Sequence, residues 1–387
     1  MSKSCVRIGP LPGEREFRAP SLNPGRLPFM PTDPLDPFDP TSSRRRFLQV
    51  GAAGAFLCTI GGETVSVAKR GDAVKADAAA AKITRPQTNE ATEQQTYVTP
   101  EPQPGGRKVE FWIQATEARW TIVPSNRDDW HDQTISGSST FDATVYQEMT
   151  EGFAAPLGPA AIPGPTLHAE VGDTIVVHFR NAFKKLDQAV TMHPHGVKYN
   201  PEYDGVYLGK YTRAGGFIEP GEEFTYTWEC VPGSVGAWPY HDHGPNHTLN
   251  TFRGMFGSLV VRNKGETVPA VEKSLFLHQL QPPVTGLKRS YQCINGRAFA
   301  GNTPTLRAKV GQEVALHVFG MDNNFHDFHI HGHRWKDEAG AFIDTPSVGP
   351  NETTSVKFVE DNPGRWLYHC HVFSHQDAGM AGWYLVE

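Results

Sequence analysis

The sequence predicts an all-β protein made of two β-sandwich domains behind a long N-terminal segment with no core of its own, and three observations carry that prediction. From about Lys108 the chain runs in short β-rich stretches such as VEFWIQA, DTIVVHF and EFTYTWEC, separated by Gly/Pro turns. A second set of such stretches, SLFLHQL, EVALHVF, TTSVKFV and GRWLYHC, begins near Val271. Finally, PGPTLHAEVGDTIVVHF at 163–179 is echoed by NTPTLRAKVGQEVALHVF at 302–319, an internal repeat that argues for two copies of one β-domain.

The elements follow in order. Residues 1–40 form an N-terminal extension. Residues 41–68, with Arg44 and Arg45 followed by Phe47-Leu48 and a short stretch of small apolar residues, resemble a twin-arginine export signal, with cleavage expected after Ala68 or a later alanine. Export by that route sends the protein to the periplasm, the cell surface or the medium. Residues 69–106 carry few large apolar side chains and are expected to be a disordered linker. The first sandwich is then expected over 107–265 and the second over 266–387, and 387 residues leave no comfortable room for a third.

Composition narrows the partners. A formal net charge of −6 with 20% charged residues gives no electrostatic reason to bind nucleic acid or an anionic membrane. No apolar run reaches the roughly 18 to 20 residues of a spanning helix, so no membrane insertion is expected and small diffusible partners are the default. Of five cysteines, Cys5 and Cys58 lie in or before the segment expected to be removed. Cys230 and Cys293 are free to pair in an oxidising compartment, but nothing in the sequence fixes their separation.

Most of the 17 histidines fall into four tight groups: HPHG at 193–196, HDH at 241–243, HDFHIHGH at 326–333 and HCHVFSHQDAGM at 369–380. Alternate residues of a strand share a face, so His193/His195, His241/His243, His329/His331 and His369/His371 each present two imidazoles to one side. Eight imidazole nitrogens exceed what one tetrahedral zinc takes, and a site rich in imidazole and poor in carboxylate favours copper. Such pairs are able to converge around several metal ions.

The same period places a second site behind the first. Cys370 lies between His369 and His371 and must face the other way, as must His326, an odd three residues before His329. His375 and Met380 follow on the next loop. Two His, a Cys thiolate and a weak Met thioether make a blue-copper electron-transfer site. Its peptide link to His369 and His371 joins a one-electron port to a multi-metal store.

At these residues the chain resembles the multicopper oxidases, and from about 108 to 387 it is similar to the two-domain bacterial small laccases. The resemblance implies two cupredoxin-like Greek-key domains and four coppers per chain. Type 1 copper falls to His326, Cys370, His375 and Met380. Type 2 copper falls to His193 and His329, and a type 3 pair to His195, His241, His243, His331, His369 and His371. His333 is not a ligand in that pattern. Tyr199 and Asp204 match a tyrosine close to the cluster and an acid beside its water channel, where a carboxylate serves the four-proton reduction of dioxygen to water.

A copper nitrite reductase would carry its thiolate in the first domain, where this chain has Asp242, so that domain is expected to hold no blue site. Because the eight histidines come from both domains, the resemblance also implies a homotrimer whose clusters lie between subunits, although geometry alone allows pairing within one chain. The expected activity is one-electron oxidation of phenols or aromatic amines coupled to dioxygen reduction. Ferrous or cuprous ion oxidation, with Asp327, Asp337, Asp344 and Asp377 as nearby acids, is the main alternative. A non-catalytic copper carrier would need only the blue site.

Overall fold

The computed structural model describes residues 100–387, together with 59–60, 63–64 and 83–86. The chain divides into two compact units, Met1–Val74 and Lys75–Glu387. In the first, Thr59–Ile60 pairs antiparallel with Glu63–Thr64. The arginine pair of the expected export signal, Cys5 and Cys58 lie outside the described residues.

The second unit holds two β-sandwiches. The first contains β1 (Lys108–Thr121), β2 (Thr140–Met149), β3 (Thr166–Glu170), β4 (Thr174–Asn181), β5 (His193–Pro194), β6 (Glu223–Glu229), β7 (Gly236–His241) and β8 (Phe256–Arg262). Its sheets are ordered β6-β4-β1-β2 and β3-β8-β7-β5. In the second lie β9 (Val271–Leu280), β10 (Tyr291–Ile294), β11 (Leu306–Ala308), β12 (Glu313–Gly320), β13 (His326–Ile330), β14 (Ser347–Val348), β15 (Thr353–Val359), β16 (Gly364–Cys370) and β17 (Ala381–Val386). These form sheets β10-β9-β12-β15 and β11-β17-β16-β13-β14. The repeat read in the sequence extends to topology. β3 lies parallel to β8 as β11 lies parallel to β17, and β1 lies parallel to β4 as β9 lies parallel to β12.

Strand parity builds three cores rather than two. In β8 every residue is buried: Leu259 and Val261 face the first sandwich's interior with Ile113, Phe179 and Trp228, while Phe256 and Val260 face the other way. They meet Phe276, Tyr291, Cys293 and Phe319 of the second sandwich, and the Phe276 and Phe319 rings stack at 4.4 Å. The remaining faces of β9 and β12, with Leu277, Leu316 and Val318, close on Phe328, Tyr368, Cys370 and Met380 in the second sandwich's own core. Separating the sandwiches would expose several aromatic rings at about 1.5–3 kcal/mol each. Their relative orientation within a chain is therefore fixed.

A polar seam runs beside this apolar weld. Arg262 on β8 pairs with Glu272 on β9, and His317 Nε2 lies 3.2 Å from the Glu272 carboxylate while its Nδ1 meets Ser355 Oγ at 2.8 Å. Burial pushes the Glu272 carboxyl up, but hydrogen bonds from His317 and Arg262 bring it down to about 2.

Two local findings add to the sequence reading. Within 69–106, two described pieces, 83–86 and 100–106, make contacts with the first sandwich. Arg85 pairs with Glu222 at 2.5 Å and Glu219 at 3.3 Å beside the Phe217 ring, and Gln103 N–H donates to the Gly172 carbonyl at 2.9 Å. A guanidinium facing two carboxylates and an added backbone bond anchor local segments that composition alone would leave free. Cys230 and Cys293 are both buried free thiols, because Cys230 belongs to the first core and Cys293 to the weld between sandwiches.

Candidate metal centre

β13 and β16 run antiparallel with His329 opposite His369 and Phe328 opposite Cys370. Residues opposite one another share a face, so one side of this strand pair carries imidazoles and the other carries the thiol. Along β13 burial alternates, with His326, Phe328 and Ile330 inside and Asp327 and His329 only partly covered. In the first sandwich β5 and β7 repeat the arrangement, with His193 opposite His241 and Pro194 opposite Tyr240.

Each strand pair thus displays four histidines, and the two sets match closely. The His193–His195 and His329–His331 ring centroids are 5.0 and 5.2 Å apart; His193–His241 and His329–His369 are both 5.5 Å. His195 Nε2 lies 3.1 Å from His241 Nε2, and His331 Nε2 lies 3.1 Å from His369 Nε2. Second contacts match too. His193 Nδ1 donates to the Asp204 carbonyl at 2.7 Å and His329 Nδ1 to the Asp344 carbonyl at 3.0 Å. The Nδ1 atoms of His241 and His369 each donate at 2.9 Å to the carbonyl of the next residue, Asp242 and Cys370.

A carbonyl only accepts, so these four rings carry their proton on Nδ1 and leave Nε2 with a free lone pair. Burial, reinforced by neighbouring imidazoles, lowers His195 to about 4, His241 to about 3 and His369 to about 4. All three are neutral donors at neutral pH. His243 Nδ1 is buried with no hydrogen-bond partner, an arrangement a metal would relieve. His193, His195 and His241 form one group with ligand atoms mutually within 4.8 Å, and His329, His331 and His369 form another.

Within one chain the two tetrads do not converge. Among the described residues every ring contact of a tetrad histidine with another histidine stays inside its own sandwich, including the 4.6 Å stack of His243 on His247. Pairing of the eight nitrogens within one chain, which the sequence left open, is therefore not seen among the described residues.

Behind the second tetrad, His326, Cys370 and His375 form a third group. Cys370 Sγ is 3.8 Å from His326 Nδ1 and 3.7 Å from His375 Nδ1. Met380 is fully buried in the same core, and its backbone is tied in by Met380 N–H to His375 O and Cys370 N–H to Met380 O, both at 3.1 Å. Burial pushes the Cys370 thiol up, but the two imidazoles bring it down to about 7. Burial also opposes charge on His326, yet Asp322 and Cys370 raise it to about 9. A thiolate between two ring nitrogens, with a thioether in the same core, is the donor set that copper takes.

Tyr199 and Asp204 both lie at the first tetrad. The Tyr199 ring is 5.9 Å from that of His193, and burial together with Asp204 pushes its hydroxyl up to about 12. Asp204 reaches His193 Nδ1 with its carboxylate as well, at 3.2 Å. The acids considered for ferrous ion have other partners: Asp327 accepts from Ser347 Oγ at 2.5 Å, Asp337 from Ala341 N–H at 2.8 Å and Asp377 from Gln376 at 3.4 Å. Asp344 accepts from Thr345 Oγ1 at 3.1 Å. His333 is buried and engages Glu360 at 3.0 Å.

Sequence reasoning missed Asp322, whose Oδ1 lies 3.2 Å from His326 Nε2 and whose side chain is fully buried. It also lines a cavity of about 330 Å³ with His241, His243 and His247. His247 was legible in principle, standing five residues after Asp242 as His375 stands after Cys370. Asp242 itself is buried and accepts from Thr191 N–H at 2.8 Å, Asn250 Nδ2 at 2.9 Å and Gly244 N–H at 3.1 Å. The first sandwich therefore has a hydrogen-bonded carboxylate where the second has its thiol.

Models of the multicopper oxidase family match the chain at residues 159–266 and 277–387. A probable nitrite reductase-hydroxylamine oxidoreductase fusion protein of Kuenenia stuttgartiensis is 31% identical over 58% of this chain and 28% of its own length. Ferroxidase HEPHL1 of Homo sapiens is 27% identical (64% and 25%), and human ceruloplasmin 25% identical (71% and 30%). The chain thus spans no more than 30% of the length of these relatives. Among solved structures, a multicopper oxidase superposes with a TM-score of 0.57 at 22% identity, covering 74% of this chain and 92% of the other. The blue copper oxidase of Nitrosomonas europaea gives 0.56 at 24% identity, covering 73% and 86%. Those likenesses bear on the fold, which is cupredoxin-like. With both halves matched and the donor sets in place, this chain belongs to the multicopper oxidase family.

Proposed function

We propose that the protein is a laccase-like oxidase that takes electrons singly from phenolic or aromatic-amine donors and passes them to dioxygen. His326, Cys370, His375 and Met380 would hold type 1 copper, His193 and His329 type 2, and the six remaining tetrad histidines the type 3 pair. When bound, these four coppers per chain supply one-electron exchange at the thiolate and the capacity for four-electron reduction of dioxygen to water. The observation that carries the reading is the pairing of matched imidazole tetrads with a thiol on the reverse face of the second.

The chain's residues have definite tasks. Cys370 is joined by single peptide bonds to His369 and His371, so the two faces share a covalent link. Asp204 holds the His193 ring by carbonyl and carboxylate and lies beside the Tyr199 hydroxyl, where a proton is available to the first tetrad. Because each tetrad is half a site and the weld prevents their meeting in one chain, a homotrimer in which the first tetrad of one chain faces the second of its neighbour supports completion of the cluster. Export by the twin-arginine route is part of the same proposal and suits a protein that folds around its metal first.

A second reading, ferrous or cuprous ion oxidation, is favoured by the relatives named ferroxidase and ceruloplasmin. Nitrite reduction with a thiolate site in the first sandwich is opposed by Asp242. Oxygen uptake by the copper-replete protein, measured with a phenol, ferrous ion and cuprous ion side by side, tests the assignment. Fastest uptake with the phenol is expected. Faster uptake with ferrous ion would move the protein to the second reading, and no uptake with any donor would leave only a copper carrier.

A further inference from the structure

The two tetrads match so closely that the places where they differ are informative. Among the described residues, His241 has ring contacts with His193, His195 and His243 alone, whereas its counterpart His369 has an additional one, with Trp130. Trp130 comes from the other sandwich. Its indole lies 6.4 Å from the His369 ring at an interplanar angle of 27°, and among the described residues no other ring of the first sandwich lies against the second tetrad.

The segment that delivers this indole is built rather than loose. It is a short hairpin in which Arg127–Asp128 pairs with Gln133–Thr134. Asp128 is buried and uses one oxygen to accept from Trp130 N–H at 3.0 Å and the other to meet His131 Nδ1 at 2.7 Å. The hairpin's base is clamped to the second sandwich by the Asn302 side chain, which accepts from Ser125 N–H at 3.0 Å and Ser125 Oγ at 2.8 Å and donates to the Arg127 carbonyl at 2.8 Å. Asp129 N–H donates to the Ala300 carbonyl at 3.0 Å. A Cβ on Gly301 would lie 2.2 Å from Asp129 Oδ2, so the two segments are in tight contact there. The His131 ring centroid lies 4.2 Å from that of the indole.

We propose that Trp130 is a positioning residue of the second tetrad, setting the plane of the His369 imidazole from across the sandwich boundary. His369 needs such support. Its Nδ1 bond to the Cys370 carbonyl fixes the tautomer, but one hydrogen bond leaves rotation about that axis free, and a flat wall removes it. In the first tetrad the ring packed from outside is a different one, His193, which lies edge-on against Tyr199. The inference rests on the copper assignment above.

The test uses the full-length, copper-replete protein with Trp130→Ala, Trp130→Phe and Asp128→Ala, the last loosening the hairpin while keeping the indole. Two signals are read separately: the visible band of the Cys370 site, and copper retained at the tetrads against a competing chelator together with its paramagnetic-resonance spectrum. Outer-shell partners of metal-bound histidines are worth about 10–100-fold in affinity. Trp130→Ala and Asp128→Ala are each expected to weaken tetrad copper by roughly tenfold and alter its spectrum while the Cys370 band persists. Trp130→Phe, which keeps a flat ring, is expected to restore most of the affinity. Unchanged retention and spectrum in Trp130→Ala, or no rescue by Trp130→Phe, would overturn the proposal. So would joint loss of both signals, which marks general unfolding. Failure of the parent protein to hold copper at the tetrads would instead strike the assignment on which the proposal rests.

Discussion

Replacing Asp322 by alanine should damage the thiolate site without touching any residue that would hold metal. Asp322 and His326 are both fully buried, and the carboxylate accepts from His326 Nε2 at 3.2 Å and from Asn324 N–H at 2.7 Å. Removing it leaves a buried ring N–H and a backbone N–H without an acceptor, at about 1–3 kcal/mol for each group left unsatisfied. Water entering the adjoining cavity of about 330 Å³ would recover part of that, so a net loss of roughly 2–4 kcal/mol is expected. Asp322→Asn keeps an acceptor oxygen and should lose about half as much or less. Denaturant unfolding gives the stability change, and the intensity of the visible band in the folded protein reports ring orientation. If Asp322→Ala were as stable as the parent with an unchanged band, the hydrogen bond to His326 would have no role in holding that ring, and the account of the site's geometry would be wrong.

Other outcomes follow from the same structure. Cys370→Ser should abolish the visible band and donor oxidation together; donor oxidation surviving without the band would mean electrons enter elsewhere. The Glu272 carboxyl is depressed to about 2, so its contribution to stability is present above the unfolded value near 4.5 and lost as pH falls through about 2. Glu272→Gln should accordingly flatten acid unfolding between those limits, as followed by tryptophan fluorescence. Stripping copper with a chelator should shift the proposed trimer toward smaller species in sedimentation velocity, and an unchanged distribution would show that metal does not hold the chains together. Alanine at Phe276, which loses a ring stacked at 4.4 Å in the weld, should cost about 3–5 kcal/mol by denaturant unfolding.

Much of the site could be read from period-two arithmetic, because short strands leave a side chain only two faces. That is why His326 and Cys370 could be assigned to one side and His329 and His369 to the other before any coordinates. What the arithmetic does not carry is the register between strands or the arrangement of whole sandwiches. It gave no warning that the tetrads stay apart in one chain, since Phe256 and Phe276 read as ordinary core residues and their meeting is a tertiary fact. Asp322 escaped notice for a similar reason: it sits in a loop, where no periodicity points a side chain at His326. The thiols Cys230 and Cys293 were ambiguous because separation in space, not in sequence, decides whether they bond.

The division of the two histidine tetrads between the sandwiches has a consequence for mixed populations. In the proposed homotrimer every chain would serve two neighbours, so a subunit defective at both tetrads would disable two junctions and leave one intact. Co-expressing defective and sound copies would then depress turnover more steeply than their proportion, whereas copies defective only at Cys370 would leave every junction whole.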